Sequence, residues 1–214
     1  MGDWKMDQKK KSERTKLLLK HTYAKMLEAR RYDEIRIKDL TRLADVSRNT
    51  FYVYYSSIYE MIDEIEKDII NDISNFSITE LSHEFISKYE EKFNESLNAL
   101  PHENLFTFTI QIIDYFHNDP KYMHSVILSE NTDPYFQKKL IRCITQKILD
   151  YLLFSENLPD DDITAHIAAN VAGTYIEPVI NWCLKQESER ISLKDLIIMI
   201  NFTKLGGLGA YLKY

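Results

Sequence analysis

Within residues 47–59 the chain gathers side chains able to bond flat heteroaromatic edges and phosphate oxygens. Arg48 carries a two-pronged guanidinium, Asn49 combines an acceptor with two donors, and Ser47, Thr50, Tyr52, Tyr54, Ser57 and Tyr59 bring hydroxyls. An arginine fork matches a guanine edge and an amide matches an adenine edge, while hydroxyls and cations hold the sugar–phosphate backbone of duplex DNA. Lys38, nine residues before Ser47, adds such a cation. The chemistry is recognition of a nucleic acid rather than bond breaking.

Those residues need a scaffold, and the surrounding pattern supplies one. Ile37, Leu40, Leu43 and Ala44 recur at three and four residues, which predicts a short helix over 37–44 with Asp39 in its first turn, where a negative charge meets the positive end of the helix dipole. Asp45 and Val46 break the pattern. Ser47 is a good N-cap for a second short helix to about Tyr55, its hydroxyl placed to accept the N–H of Asn49 or Thr50. Val46, Phe51 and Tyr55 can turn inward, since 51 and 55 are one turn apart, which leaves Arg48, Asn49, Thr50, Tyr52 and Tyr54 outward. Two short helices on a tight turn have the dimensions of a helix-turn-helix. A longer helix over 12–29 with Leu19, Tyr23, Met26 and Leu27 on one face precedes them, and a helix from the Ser57–Glu60 capping box to about Ile73 follows.

The remainder also reads as helices, at about 78–99, 103–118, 120–129, 134–155, 161–186 and 193–213. Their start signals are a capping box from Ser77 to Glu80, Asp133 before Pro134, and a box from Ser192 to Asp195. With five Gly and five Pro in 214 residues there is little turn chemistry for a many-stranded sheet, so the class is all-α. The net charge of −6 hides an asymmetry. Residues 1–60 hold 14 Lys and Arg against 9 Asp and Glu, whereas residues 61–214 hold 13 against 24. A basic head on an acidic body is the electrostatic footprint of DNA binding, because phosphate contacts supply most non-specific affinity.

Other chemistries find no support. Cys143 and Cys183 lack the spacing of a metal or redox pair and sit in apolar patterns. His117 and His124 are separated by Asp119-Pro120, with no third ligand at zinc spacing. Gly206-Gly-Leu-Gly209 lacks the strand and following helix of a dinucleotide site, and no nucleophile-elbow, phosphate-loop or zinc-protease motif occurs. We therefore expect no enzyme, cofactor or metal. The charged N-terminus has no apolar core of a signal peptide and no run is long enough to span a bilayer, which places the chain in the cytoplasm as an expectation.

The stretch from Tyr32 to Tyr55, with Leu40, Ala44, Val46-Ser47, Thr50-Phe51-Tyr52 and Tyr54-Tyr55 at their offsets, resembles the N-terminal signature of the TetR/AcrR family of transcriptional regulators. The match spans about residues 12–65. The resemblance places base reading on Arg48 and Asn49, phosphate contact on Thr50 and Tyr52, and core positions on Phe51 and Tyr55. This chain departs from the family pattern at Arg36, where a threonine N-cap is preferred, at Arg31 and Asp45, where glycine is common, and at Ile58, where lysine is frequent. The loss of that lysine would leave DNA contact by helix 4 to its N-terminal backbone or to Tyr59.

The resemblance further implies a DNA-binding three-helix domain with its connecting helix over 1–75 and a helical-bundle effector and dimerisation domain over 76–214. It implies an effector-responsive repressor, homodimeric through 161–186 and 193–213, on a palindromic operator. Ile163, Ile167, Val171, Tyr175 and Trp182 form a stripe on the first of those helices. Leu196, Ile200 and Leu208 form one on the second, beside Gly206, Gly207 and Gly209. An intramolecular core would produce the same stripes. Phe106, Phe108, Tyr115, Phe116, Tyr122 and Tyr135 could line a small-molecule cavity or be ordinary core, and no ligand residue is assigned. The alternative is an adaptor or activator whose body answers to a protein partner.

Overall fold

Apolar residues at helical spacing decide which face of each element is covered. The computed structural model describes residues 2–77, 87, 91, 104–173, 176–197 and 199–200, and among these there is no strand. Helix α1 (Gly2–Leu27) starts well before the expected residue 12 and buries Leu19, Tyr23, Ala24, Met26 and Leu27 near its end. A 3-10 turn (Tyr32–Glu34) leads to α2 (Ile37–Leu43), α3 (Arg48–Tyr54) and α4 (Ile58–Ser74). Further on come α5 (Asn104–Asn118) and α6 (Pro120–Met123), which runs into a π-helical turn (His124–Leu128). They are followed by α7 (Pro134–Phe154), α8 (Asp162–Gly173), α9 (Ile176–Leu184), a 3-10 turn (Glu187–Glu189) and helical residues 193–197. The expected helix over 78–99, the box closing at Glu80, the side chain of Phe106, Tyr175 and the glycine-containing stretch 201–213 lie outside the described residues. No described helix is long and apolar enough to cross a membrane.

The chain divides into two compact units. One comprises Met1–Ile69 and Tyr122–Phe136, the other Ile70–Lys121 and Gln137–Tyr214. The first unit thus draws in a segment from beyond residue 75. Hydrogen bonds to a helix end hold it there, since the last carbonyls of a helix lack intrahelical donors. The Leu27 carbonyl at the end of α1 accepts from Ser129 Oγ (3.1 Å) and Asn131 Nδ2 (2.9 Å), and the Asn131 carbonyl accepts from the Tyr32 N–H (2.8 Å). Tyr122 stacks on His21 with ring centroids 4.8 Å apart. Met123, Val126 and Ile127 are buried.

In this unit Ile35, Leu40, Ala44, Phe51, Tyr55, Ile58, Met61, Ile62 and Ile65 complete the core. Two expectations change. Leu43, assigned to the inner face of α2, is 53% exposed, whereas Ile35, which lies outside the helix, is fully covered. Ile58 is also buried, so the residue standing in the place of a lysine is a core side chain of α4.

In the second unit α9 packs against α5. Buried Phe108, Ile112, Ile113 and Phe116 of α5, Leu140, Ile144 and Ile148 of α7, Ala168 and Val171 of α8, and Val179, Ile180 and Cys183 of α9 make its core. On α8 the covered positions are Thr164, Ala168, Val171 and Ala172. Ile163 is 54% exposed and Ile167 half-buried, so the predicted stripe divides between core and surface.

Candidate nucleic-acid interface

Two capping arrangements frame α3. Ser47, with extended backbone, accepts the Thr50 N–H on its Oγ (3.0 Å), and the Ser47 and Thr50 hydroxyls bond each other (2.8 Å). The expected cap is present and its partner is Thr50. Such a cap contributes about 1 kcal/mol to a helix too short to stand alone. The turn before it is made at Asp45, whose φ of 52° lies in the left-handed region. That is the physical reason a glycine suits this position, and aspartate is among the few other side chains that tolerate it.

The second cap differs from expectation. The Glu60 N–H donates to Ser57 Oγ (3.2 Å) as the box requires, but the return bonds run from Ser56. Both its N–H and its hydroxyl donate to Glu60 Oε2 at 2.6 Å, and they hold the Glu60 carboxyl below its ordinary pKa. Arg36, at the N-cap of α2, makes no capping bond. Its guanidinium instead donates to the Asp33 carbonyl (3.0 Å).

Phe51 and Tyr55 are fully buried, which turns the opposite side of α3 outward. Arg48, Asn49 and Tyr52 are exposed, Tyr52 lying four residues after Arg48 and three after Asn49. Val53, absent from the sequence candidates, lies on that outward side and is 75% exposed. Thr50 and Tyr54 are half-buried on its flank, and Val46 is only partly covered. The other candidates sit on neighbouring elements: Lys38 and Tyr59 are exposed in the first turns of α2 and α4, and Ser57 is half-buried at the α4 cap.

Behind the buried side of α3 lies an ion-pair cluster with no local sequence signature. Glu64 of α4 accepts from Lys16 Nζ (2.8 Å) and Lys20 Nζ (2.8 Å) of α1 and from the Tyr55 hydroxyl (3.1 Å), and Lys20 also pairs with Asp68 (2.6 Å). Lys16 Nζ lies 5.1 Å from the centre of the Tyr55 ring. Burial by itself would raise the Glu64 carboxyl, but the hydrogen bonds from Lys16, Lys20 and Tyr55 outweigh it and hold the group at about 2. Burial and the Glu64 charge push the Tyr55 hydroxyl far up, so it remains a donor. At the other end of α1, Arg30 (3.3 Å) and Arg42 (2.9 Å) share Asp39 beside an open groove of about 460 Å³. The groove is lined by the charged Lys25, Glu28, Arg30, Asp39 and Arg42 together with the apolar Met26, Ala29 and Leu43.

Two short helices joined through a left-handed residue, the second capped by its own serine and showing a polar face, make this architecturally an all-α helix-turn-helix protein. Its fold is that of the TetR transcriptional regulators, as the resemblance of residues 12–65 implied. A TetR transcriptional regulator from Streptococcus agalactiae 2603V superposes with a TM-score of 0.52 at 17% identity, over 92% of this chain and 98% of that one. The dihydroxyacetone kinase operon activator DhaS does so with a TM-score of 0.52 at 16% identity, over 90% and 94%. No family model and no curated protein matches the chain.

Proposed function

We propose that this protein is a sequence-specific DNA-binding transcriptional regulator, acting in the cytoplasm as a homodimer on a pseudo-palindromic operator. The observation that carries the proposal is the outward face of α3: Arg48, Asn49 and Tyr52 exposed together on a helix anchored by Phe51, Tyr55 and the Ser47 cap. Arg48 and Asn49 supply base-edge bonds. Tyr52, Thr50, Tyr54, Ser47, Lys38, Ser57 and Tyr59 supply backbone contacts. DNA reading belongs to residues 1–75, and effector response and dimerisation to 76–214. The exposed apolar side chain of Ile163 (54%) on the late helices supports a dimer through 161–186 and 193–213. Two recognition helices then enter successive major grooves about 34–36 Å apart. An effector changes occupancy only by binding one spacing of the dimer better than the other.

A second reading concerns the body. Phe154 is 81% and Ile141 38% exposed on α7, which favours a protein partner over an enclosed metabolite and accommodates activation as well as repression. The test is a gel shift of the full chain on duplexes spanning the region upstream of its own gene. Binding should weaken steeply with salt, as phosphate contacts demand. Arg48→Ala should weaken specific binding about tenfold, within the range of a lost bidentate base contact, and Tyr52→Phe should weaken it less. Salt-insensitive binding, or full affinity in Arg48→Ala, would remove the reading.

A further inference from the structure

Among the described side chains of the first 70 residues, Val53 is the most exposed large apolar one, 75% accessible in the last turn of a seven-residue helix where a β-branched side chain gives no help to helix formation. It lies one turn after Asn49, on the exposed side of α3 that also carries Tyr52 and Arg48, and away from the core residues Phe51 and Tyr55. An isolated exposed valine would need no explanation. This one stands inside an otherwise polar surface suited to DNA edges, and the major groove offers one methyl group, on C5 of thymine. Resting on the regulator assignment above, we propose that Val53 is a specificity-determining residue that packs against a thymine methyl in each half-site.

The placement gives the proposal a register. Asn49 and Val53 are four residues, about one helical turn, apart on the same side, about 6 Å along the axis. Base pairs stack about 3.4 Å apart. The thymine met by Val53 therefore lies within about two base pairs of the base bonded by Asn49. Val53 is not packed into the core, so replacing it alters the reading face and leaves the fold intact.

The experiment starts from duplexes selected by the full-length protein from a random-sequence pool. In the best duplex each thymine is replaced in turn by deoxyuridine, which removes the methyl and keeps every hydrogen-bonding group, and affinity is read by fluorescence anisotropy. One thymine per half-site should show a loss of about three- to fivefold, the scale of one buried methyl group. Val53→Ala should bind the thymine and uracil duplexes equally, with unchanged thermal unfolding. Val53→Thr, which keeps one γ-methyl, should retain part of the discrimination. Asn49→Ala should relax the base preference within two positions of the sensitive thymine.

Uniform tolerance of uracil, or thymine–uracil discrimination undiminished in Val53→Ala, overturns the inference while leaving a DNA-binding regulator in place. If the pool yields no enriched duplex at all, the regulator assignment falls and this inference falls with it.

Discussion

In the unit of Met1–Ile69 and Tyr122–Phe136, several lysines and arginines meet carboxylates. Lys16 and Lys20 pair with Glu64, Lys20 with Asp68, and Arg30 and Arg42 with Asp39. In the unit of Ile70–Lys121 and Gln137–Tyr214, two cations, Arg190 and Lys147, reach backbone carbonyls. Arg190 donates to the carbonyls of Cys183 (2.6 Å) and Lys185 (2.9 Å) while its guanidinium lies 5.0 Å over Trp182, and Lys147 donates to the Ser74 carbonyl. A carbonyl does not titrate and a carboxylate does. The first unit therefore carries an acid-sensitive brace that these second-unit contacts lack, and that brace backs the helix proposed to read DNA.

The two apolar cores should respond alike, and this is the largest expected effect. Phe51→Ala in the first unit and Phe116→Ala in the second each remove a fully buried ring and should cost about 3–5 kcal/mol in urea unfolding, by lost burial plus a residual cavity. Only the first should act directly on the helix proposed to bind DNA. A small loss at either position would break the symmetry.

Glu64→Gln separates the units. It removes the acceptor charge shared by Lys16, Lys20 and Tyr55, and should cost about 1–2 kcal/mol at neutral pH, the exposed part of the site being screened by solvent. The pH dependence has a definite sign. The Glu64 carboxyl is depressed from 4.5 to about 2 in the folded chain, so its contribution is complete above pH 4.5 and is lost as pH falls from there towards 2. Urea midpoints measured from pH 6 to pH 2.5 should fall less in Glu64→Gln than in the parent chain. Parallel curves would deny the brace its role.

Ser47→Ala removes a single cap and should cost about 1 kcal/mol by thermal unfolding, with a further drop in DNA affinity if the helix start frays. The smallest expected change has the opposite sign. Asp45→Gly relieves a left-handed backbone and should raise stability by under about 1 kcal/mol, whereas Asp45→Val should lower it. Equal effects of glycine and valine would show that the turn is not held at that φ.

Much of the head is legible in one sequence because its signals are local. The inward turn of Phe51 and Tyr55, the Ser47 cap and the starts of α2, α5 and α7 follow from neighbours within a turn or two. Helical spacing also names Arg48, Asn49 and Tyr52. It fails to find Val53, because an apolar residue between two tyrosines gives no sign of whether it is covered until the packing partners are in place.

Local patterns establish where most helices begin, which residues alternate inward and outward, and that the class is all-α, since capping and periodicity act over a few residues. Tertiary structure decides what depends on distant partners: that Glu64 joins lysines 44 and 48 residues earlier in the chain, that Asn131 and Ser129 close the end of α1, and that Ile58 is core where a lysine was the family habit. Burial and charge pairing are set by whichever segment arrives across the gap, and helical periodicity carries no information about that segment.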